Sequence, residues 1–324
     1  MKKLLRPLAL PLVLALLAGC GAPSAPPPAS ESEAPAVSAA PTPEPEPTPE
    51  PTPEPTPEPT PEPTPVPESF PFDFTQVLAD TEELGLSVTA LGLDGDGNWV
   101  FHLYMENRAK VILNIRFLYQ SINGIAIEPF TYRLAIGDAV TREFRVFHEV
   151  LENYGSSAPV EWAFTLRVSS AEDNRDPFIE EPLSVCPFGE DLAVRYEFVP
   201  SEGDRLVMSN NLVSVYITGY SQTDSGFAIE FVAVNHSDKP LRLMVPELHG
   251  FNVNGHSASA SLCDEFGAYS TLIGYLPVEF PPGEAPTRVE SLHFRLATED
   301  PTDPDNRKLD RWRVVDLLPD YPLD

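Results

Sequence analysis

Asp94, Asp96 and Asn98 stand at alternate positions in Asp94-Gly95-Asp96-Gly97-Asn98, the spacing of the first three oxygen ligands of a calcium loop. Such a loop needs glycine at its sixth position and a bidentate glutamate at its twelfth, and here these are Trp99 and Met105. The EF-hand pattern therefore fails, and the segment reads instead as a hairpin tip. Asp300, Asp303 and Asp305, interleaved with Pro301 and Pro304, form a second acidic loop, for which calcium binding stays open as a remote alternative. His148-Glu149 has no second histidine at the spacing of a zinc protease, and no histidine lies within four residues of another. There is no Gly-x-Ser-x-Gly elbow, no Ser-x-x-Lys and no glycine-rich phosphate loop after a strand. The expectation is a protein without catalytic residues, cofactor or metal, and not an enzyme.

Cysteine chemistry is more informative. Lys2, Lys3 and Arg6 precede an apolar run from Leu8 to Ala18, which is too short for the roughly 20 residues of a membrane span but fits the core of a signal peptide. The run ends in Leu17-Ala18-Gly19-Cys20. This resembles the lipobox of bacterial lipoproteins, which implies that Cys20 takes a diacylglyceryl group and becomes the new N-terminus. Two acyl chains hold a protein on a bilayer where one binds only marginally. Cys186 and Cys263 remain, at positions that do not correspond between the two halves of the folded part. They are read as two partly buried thiols, with a disulfide as the alternative.

The element that positions everything beyond Cys20 is a tract from Gly21 to Ser69, with nine glutamates and no lysine or arginine. From Pro41 to Pro67 it reads as Thr-Pro-Glu-Pro repeats. Proline fixes φ and removes the amide donor, so polyproline II is the accessible state. At 3.1 Å per residue the tract from Gly21 reaches about 150 Å. The expectation is a disordered, extended stalk. The chain as a whole carries 21 basic against 49 acidic residues, a net charge of −28, so nucleic acid is excluded as a partner.

After Phe70 the pattern changes to alternation. Trp99, Phe101, Leu103 and Met105 share one strand face. Val160, Trp162, Phe164, Leu166 and Val168 share another, opposite Glu161, Thr165 and Arg167; Phe227, Ile229, Phe231 and Ala233 follow suit, as do Leu292, Phe294 and Leu296. Such alternation indicates half-buried antiparallel strands. The best helix is a short turn at His148–Tyr154. Trp99 and Trp162 align with aliphatic neighbours, and Trp312 shares a face with Val314, so all three read as core rather than as a sugar-binding platform.

The halves also match each other. A strand ending at Asn107, a polar turn, Val111–Tyr119 and Asn123-Gly124 are matched by a strand ending at Asn235, His236-Ser237-Asp238-Lys239, Leu241–Val245 and Asn254-Gly255. The Asn-Gly pairs are hairpin signals. The expectation is an all-β chain with two tandem immunoglobulin-like antiparallel β-sandwich domains, related by duplication at an offset of about 130 residues. The boundaries are 1–19 signal peptide, 20–69 lipidated cysteine and stalk, 70–190 first repeat and 191–324 second repeat.

This arrangement resembles a set of uncharacterised lipoproteins from gut-type Gram-positive bacteria, with a lipobox, a low-complexity tether and immunoglobulin-like repeats. The resemblance implies a fold and a location in the cell envelope, and no activity. The long tether points to the extracellular face of a cytoplasmic membrane in a single-membrane bacterium, with an outer-membrane lipoprotein of a two-membrane bacterium as the alternative. The functional expectation is a surface module that meets a protein, glycan or cell-wall partner. The alternative is a structural spacer in the envelope, and a calcium-dependent or carbohydrate-binding module is a remote third.

Overall fold

The computed structural model describes residues 74–246, 250–281, 283–303, 313–317 and 321–322. Cys20, the proline-rich tract, Asp305 and Trp312 lie outside the described residues. Strand makes up 56% of the described residues and helix 4%, so the class is all-β, as the alternation predicts.

The first half holds β1 (Gln76–Asp80), β2 (Leu84–Leu93), β3 (Trp99–Asn107), β4 (Leu113–Ile122) and β5 (Ile125–Ala126). It continues with β6 (Phe130–Leu134), β7 (Ala139–Val146), the short helix α1 (His148–Asn153), β8 (Trp162–Ser170) and β9 (Ile179–Val185). The second half begins with β10 (Arg205–Ser209), β11 (Val213–Thr223), β12 (Gly226–Asn235), β13 (Leu241–Val245), β14 (Asn252–Val253) and β15 (His256–Ser257). Then come β16 (Leu262–Phe266), β17 (Thr271–Glu279), β18 (Arg288–Val289), β19 (Leu292–Glu299), β20 (Arg313–Leu317) and β21 (Tyr321–Pro322).

In the first half the order β1-β2-β3-β7 faces β6-β4-β8-β9; in the second, β10-β11-β12-β17 faces β16-β13-β19-β20. Each pair of layers encloses its own core of alternating apolar side chains. The local devices repeat as well. Thr81 Oγ1 accepts the N–H groups of Glu83 and Leu84, and Asn210 Oδ1 accepts those of Leu212 and Val213. The β1–β2 ladder slips between Val77 and Ala79, and the β10–β11 ladder slips between Leu206 and Met208. The β2–β3 bulge at Val88/Ala90 recurs between β11 and β12 at Ile217/Gly219.

The two cores are filled differently. In the first, Trp162 from β8 packs on Phe101 and Phe144 of the opposite layer, at ring-centroid distances of 5.2 and 4.6 Å, and stacks on Phe117 at 5.4 Å. Its indole N–H donates to Gln120 Oε1 at 3.0 Å, which satisfies the one polar atom of a fully buried ring. By register, the matching places in the second half are Leu292, Ile229, Leu276 and Val245. Aliphatic side chains there leave an apolar void of about 20 Å³ lined in part by Ile229, Leu276 and Val245.

Trp99 and Trp162 are buried, as their alternation indicates. Two expectations are corrected. Glu161, read onto a polar strand face, is buried, because that face of β8 is covered at its start by the segment leading to β10. Cys263, read as a partly buried thiol, is exposed on β16; Cys186 is half-buried, and neither forms a disulfide.

Candidate functional site

One sheet runs through both halves. The edge strand β17 of the second half lies parallel to the two-residue β5 of the first, with Thr271 opposite Ile125. The Thr271 N–H donates to the Gly124 carbonyl at 2.7 Å. The Asn123-Gly124 turn that offers this carbonyl has φ of 51° and 78°, the left-handed pair that the two residues accept readily. The Asn123 carbonyl accepts the N–H of Tyr196 at 2.7 Å, and so pins the segment between the halves.

The preceding residue, Arg195, closes the junction. Its Nε and Nη2 donate to the two carboxylate oxygens of Glu161 at 2.7 and 2.8 Å. The Glu161 side chain is only 6% exposed, and its backbone N–H donates to Asn123 Oδ1. On the other side, Gly267 comes so close that a Cβ there would lie 2.5 Å from the Tyr119 carbonyl oxygen. Only glycine allows that approach of two backbones. The matching place in the first half is Ala135; the Ala135 and Gly267 carbonyls accept from Asn107 and Asn235 respectively.

Between these contacts the halves leave a cleft of about 630 Å³, within the 300–1,000 Å³ range of small-ligand sites. Tyr119, Phe164 and Tyr269 supply aromatic wall, and Glu180, Glu181, Arg195 and Asp238 supply charge. Both tyrosines have left-handed backbones, with φ of 53° at Tyr119 and 51° at Tyr269. For a bulky side chain that conformation costs about 1–2 kcal/mol, and such strain collects at functional sites. At the corresponding turn of the first half, before β7, the left-handed residue is Gly137 with φ of 77°. The fold thus accepts glycine at this turn without strain, and the second half places a tyrosine there, 53% exposed on the cleft.

Burial pushes the Tyr119 phenol up to about 12, with the Glu265 carboxylate adding to the effect, so its hydroxyl stays protonated at neutral pH. Arg195 is neutralised by Glu161, and Glu180 is shared with Arg167 at 3.1 Å. Glu181 and Asp238 are exposed and take part in no ion pair among the described residues. Among the described residues the lining therefore carries a surplus of negative charge.

The other residues singled out by type and spacing are engaged elsewhere. Asp94 Oδ1 accepts the N–H groups of Asp96 and Asn98. The Asn98 N–H above all holds this carboxyl below the usual range. Asp94 thus builds the hairpin tip. Asp300 is buried; burial alone would raise its carboxyl, but bonds from Thr302 and the charge of Lys239 outweigh that and lower it. His293 pairs with Asp316 on the surface at 2.5 Å. Among the described residues no three His, Cys, Asp or Glu side chains gather where they could hold a metal ion, and no helix is long and apolar enough to cross a membrane. No family model matches the chain, and no curated protein matches its sequence.

Proposed function

We propose that the chain is a non-enzymatic surface lipoprotein, anchored through Cys20 to the extracellular face of a cytoplasmic membrane. It carries two immunoglobulin-like sandwiches, related by duplication, on an extended stalk, and it binds an envelope or extracellular partner in the cleft between them. Leu17-Ala18-Gly19-Cys20 supports the anchor. The repeated capping, bulge and turn devices support the duplication, and three strands β2-β3-β7 opposed to β4, β8 and β9 with an added edge support the immunoglobulin-like comparison.

One observation carries the binding reading. At a turn where the first half has Gly137, the second half places Tyr269 at positive φ on the cleft. A side chain held there against its backbone preference argues for a use that glycine cannot serve. The test is capture from native envelope by the full chain and by Tyr269→Gly. Retention by the parent and its loss in the variant are expected. Equal retention by both removes the cleft from the reading, and retention by neither leaves the spacer role. For the anchor, Cys20→Ser is expected to move the protein from the membrane to the soluble fraction; unchanged partitioning overturns it.

A further inference from the structure

Resting on the reading of the cleft as a binding site, we propose that its ligand is an organic cation, an ammonium or guanidinium group on an apolar stem.

The cleft is far larger than a bare ion and of the size that takes a small molecule or one or two side chains. Its wall joins π faces to negative charge. Tyr119 and Tyr269 line it from opposite halves, and cations are drawn to aromatic faces within about 6 Å, the more so when water is excluded. Among the described residues Arg195 is the one basic side chain on the lining, and both oxygens of the Glu161 carboxylate hold its guanidinium. Its charge is offset by that carboxylate. Glu181 on β9 and Asp238 on the turn after β12 approach from the two halves without cationic partners among the described residues. An anionic ligand would meet both carboxylates; a neutral sugar would leave them uncompensated. A cation satisfies them, and the net charge of −28 on the chain raises its rate of encounter.

Two sources share this chemistry, a free small amine and the Lys or Arg side chain of a basic peptide. The test is calorimetric titration of the full chain with choline and with a tetra-arginine peptide, beside glucose and citrate as neutral and anionic probes. Binding of at least one cation is expected, weakening as salt rises. A loss of tenfold or more is expected both in Tyr269→Gly, which the turn geometry accommodates, and in the exposed pair Glu181→Gln/Asp238→Asn. Glu202→Gln, away from the cleft, is expected to leave binding unchanged. Choline alone binding assigns a free amine, and the peptide alone a basic partner. Binding of glucose or citrate in place of the cations, sensitive to Tyr269→Gly, overturns the cation class and keeps the cleft. Cation binding that survives both cleft variants, or no cation binding at all, overturns the proposal; the envelope capture by parent and Tyr269→Gly then decides separately whether the cleft binds anything.

Discussion

Asn107 and Asn235, each at the end of the third strand of its half, carry matching sets of hydrogen bonds. Asn107 Nδ2 donates to the carbonyls of Val111, Leu134 and Ala135, and its Oδ1 accepts the N–H of Ala109. Asn235 Nδ2 donates to the carbonyls of Lys239 and Gly267, and its Oδ1 accepts the N–H of Ser237. Both are buried and tie the same turn to the same facing loop. Removing either amide strands buried backbone groups, at about 1–3 kcal/mol. Asn107→Ala and Asn235→Ala are therefore expected to lower stability by about 2 kcal/mol each, read as a shift in urea midpoint. A shift in one variant without the other would show that the two are not equivalent.

Tyr269→Gly is expected to leave the protein as stable or to stabilise it by about 1 kcal/mol, because relief of the left-handed strain outweighs the added freedom of glycine in the unfolded chain. Thermal unfolding measures this. A clear loss of stability would mean that the ring packs at the junction and that the strain argument is misplaced.

Thr298 is fully buried, and its Oγ1 has no hydrogen-bond partner among the described residues. In the matching register of the first half, Ile115 faces Val168 where Leu243 faces Thr298. The second core thus holds a stranded hydroxyl where the first holds a methyl. Thr298→Val is expected to stabilise by about 1 kcal/mol; destabilisation in a urea titration would reveal a partner for that hydroxyl.

Burial pushes the phenols of Tyr119 and Tyr220 up to about 12, from an ordinary value of 10. The folded state resists their ionisation while the unfolded chain does not. Their contribution is fully present below pH 10 and is lost as pH rises through 12. The melting temperature is expected to fall across that window, and less steeply in Tyr119→Phe or Tyr220→Phe. Identical slopes in parent and variants would contradict the burial of these groups.

Cys263 is exposed, whereas Cys186 is half-buried and burial raises its thiol. In the Cys20→Ser chain at pH 8, a maleimide is expected to label Cys263 well before Cys186, with no change in intact mass on reduction. Equal labelling rates would be inconsistent with this placement.

Much of the fold is legible in the residues. The alternation at Trp99–Met105 and at Trp162–Val168 reports which side meets a core, because a strand has a period of two. Asn123-Gly124 and Asn254-Gly255 report turns because both residue types accept positive φ. The cleft is not legible in this way. Glu161 looks like a solvated residue of a polar face, and only its meeting with Arg195, far along the chain, makes it a buried ion pair. Tyr269 carries a signal only once it is aligned with Gly137, and that alignment needs the strand register. Gly267 looks like an ordinary turn glycine until the Tyr119 carbonyl is seen beside it.

The rung at which Thr271 meets Ile125 has a mechanical consequence. Every other junction along the nine-stranded sheet is an antiparallel ladder of two or more residue pairs, while this one is a single parallel pair. A load drawn across the sheet meets its narrowest hydrogen-bonded junction there, which the Arg195–Glu161 pair and the Tyr196–Asn123 bond beside it help to share. Tension on the surface would then be felt first at the junction that also carries the Arg195–Glu161 pair and the close approach of Gly267 to Tyr119.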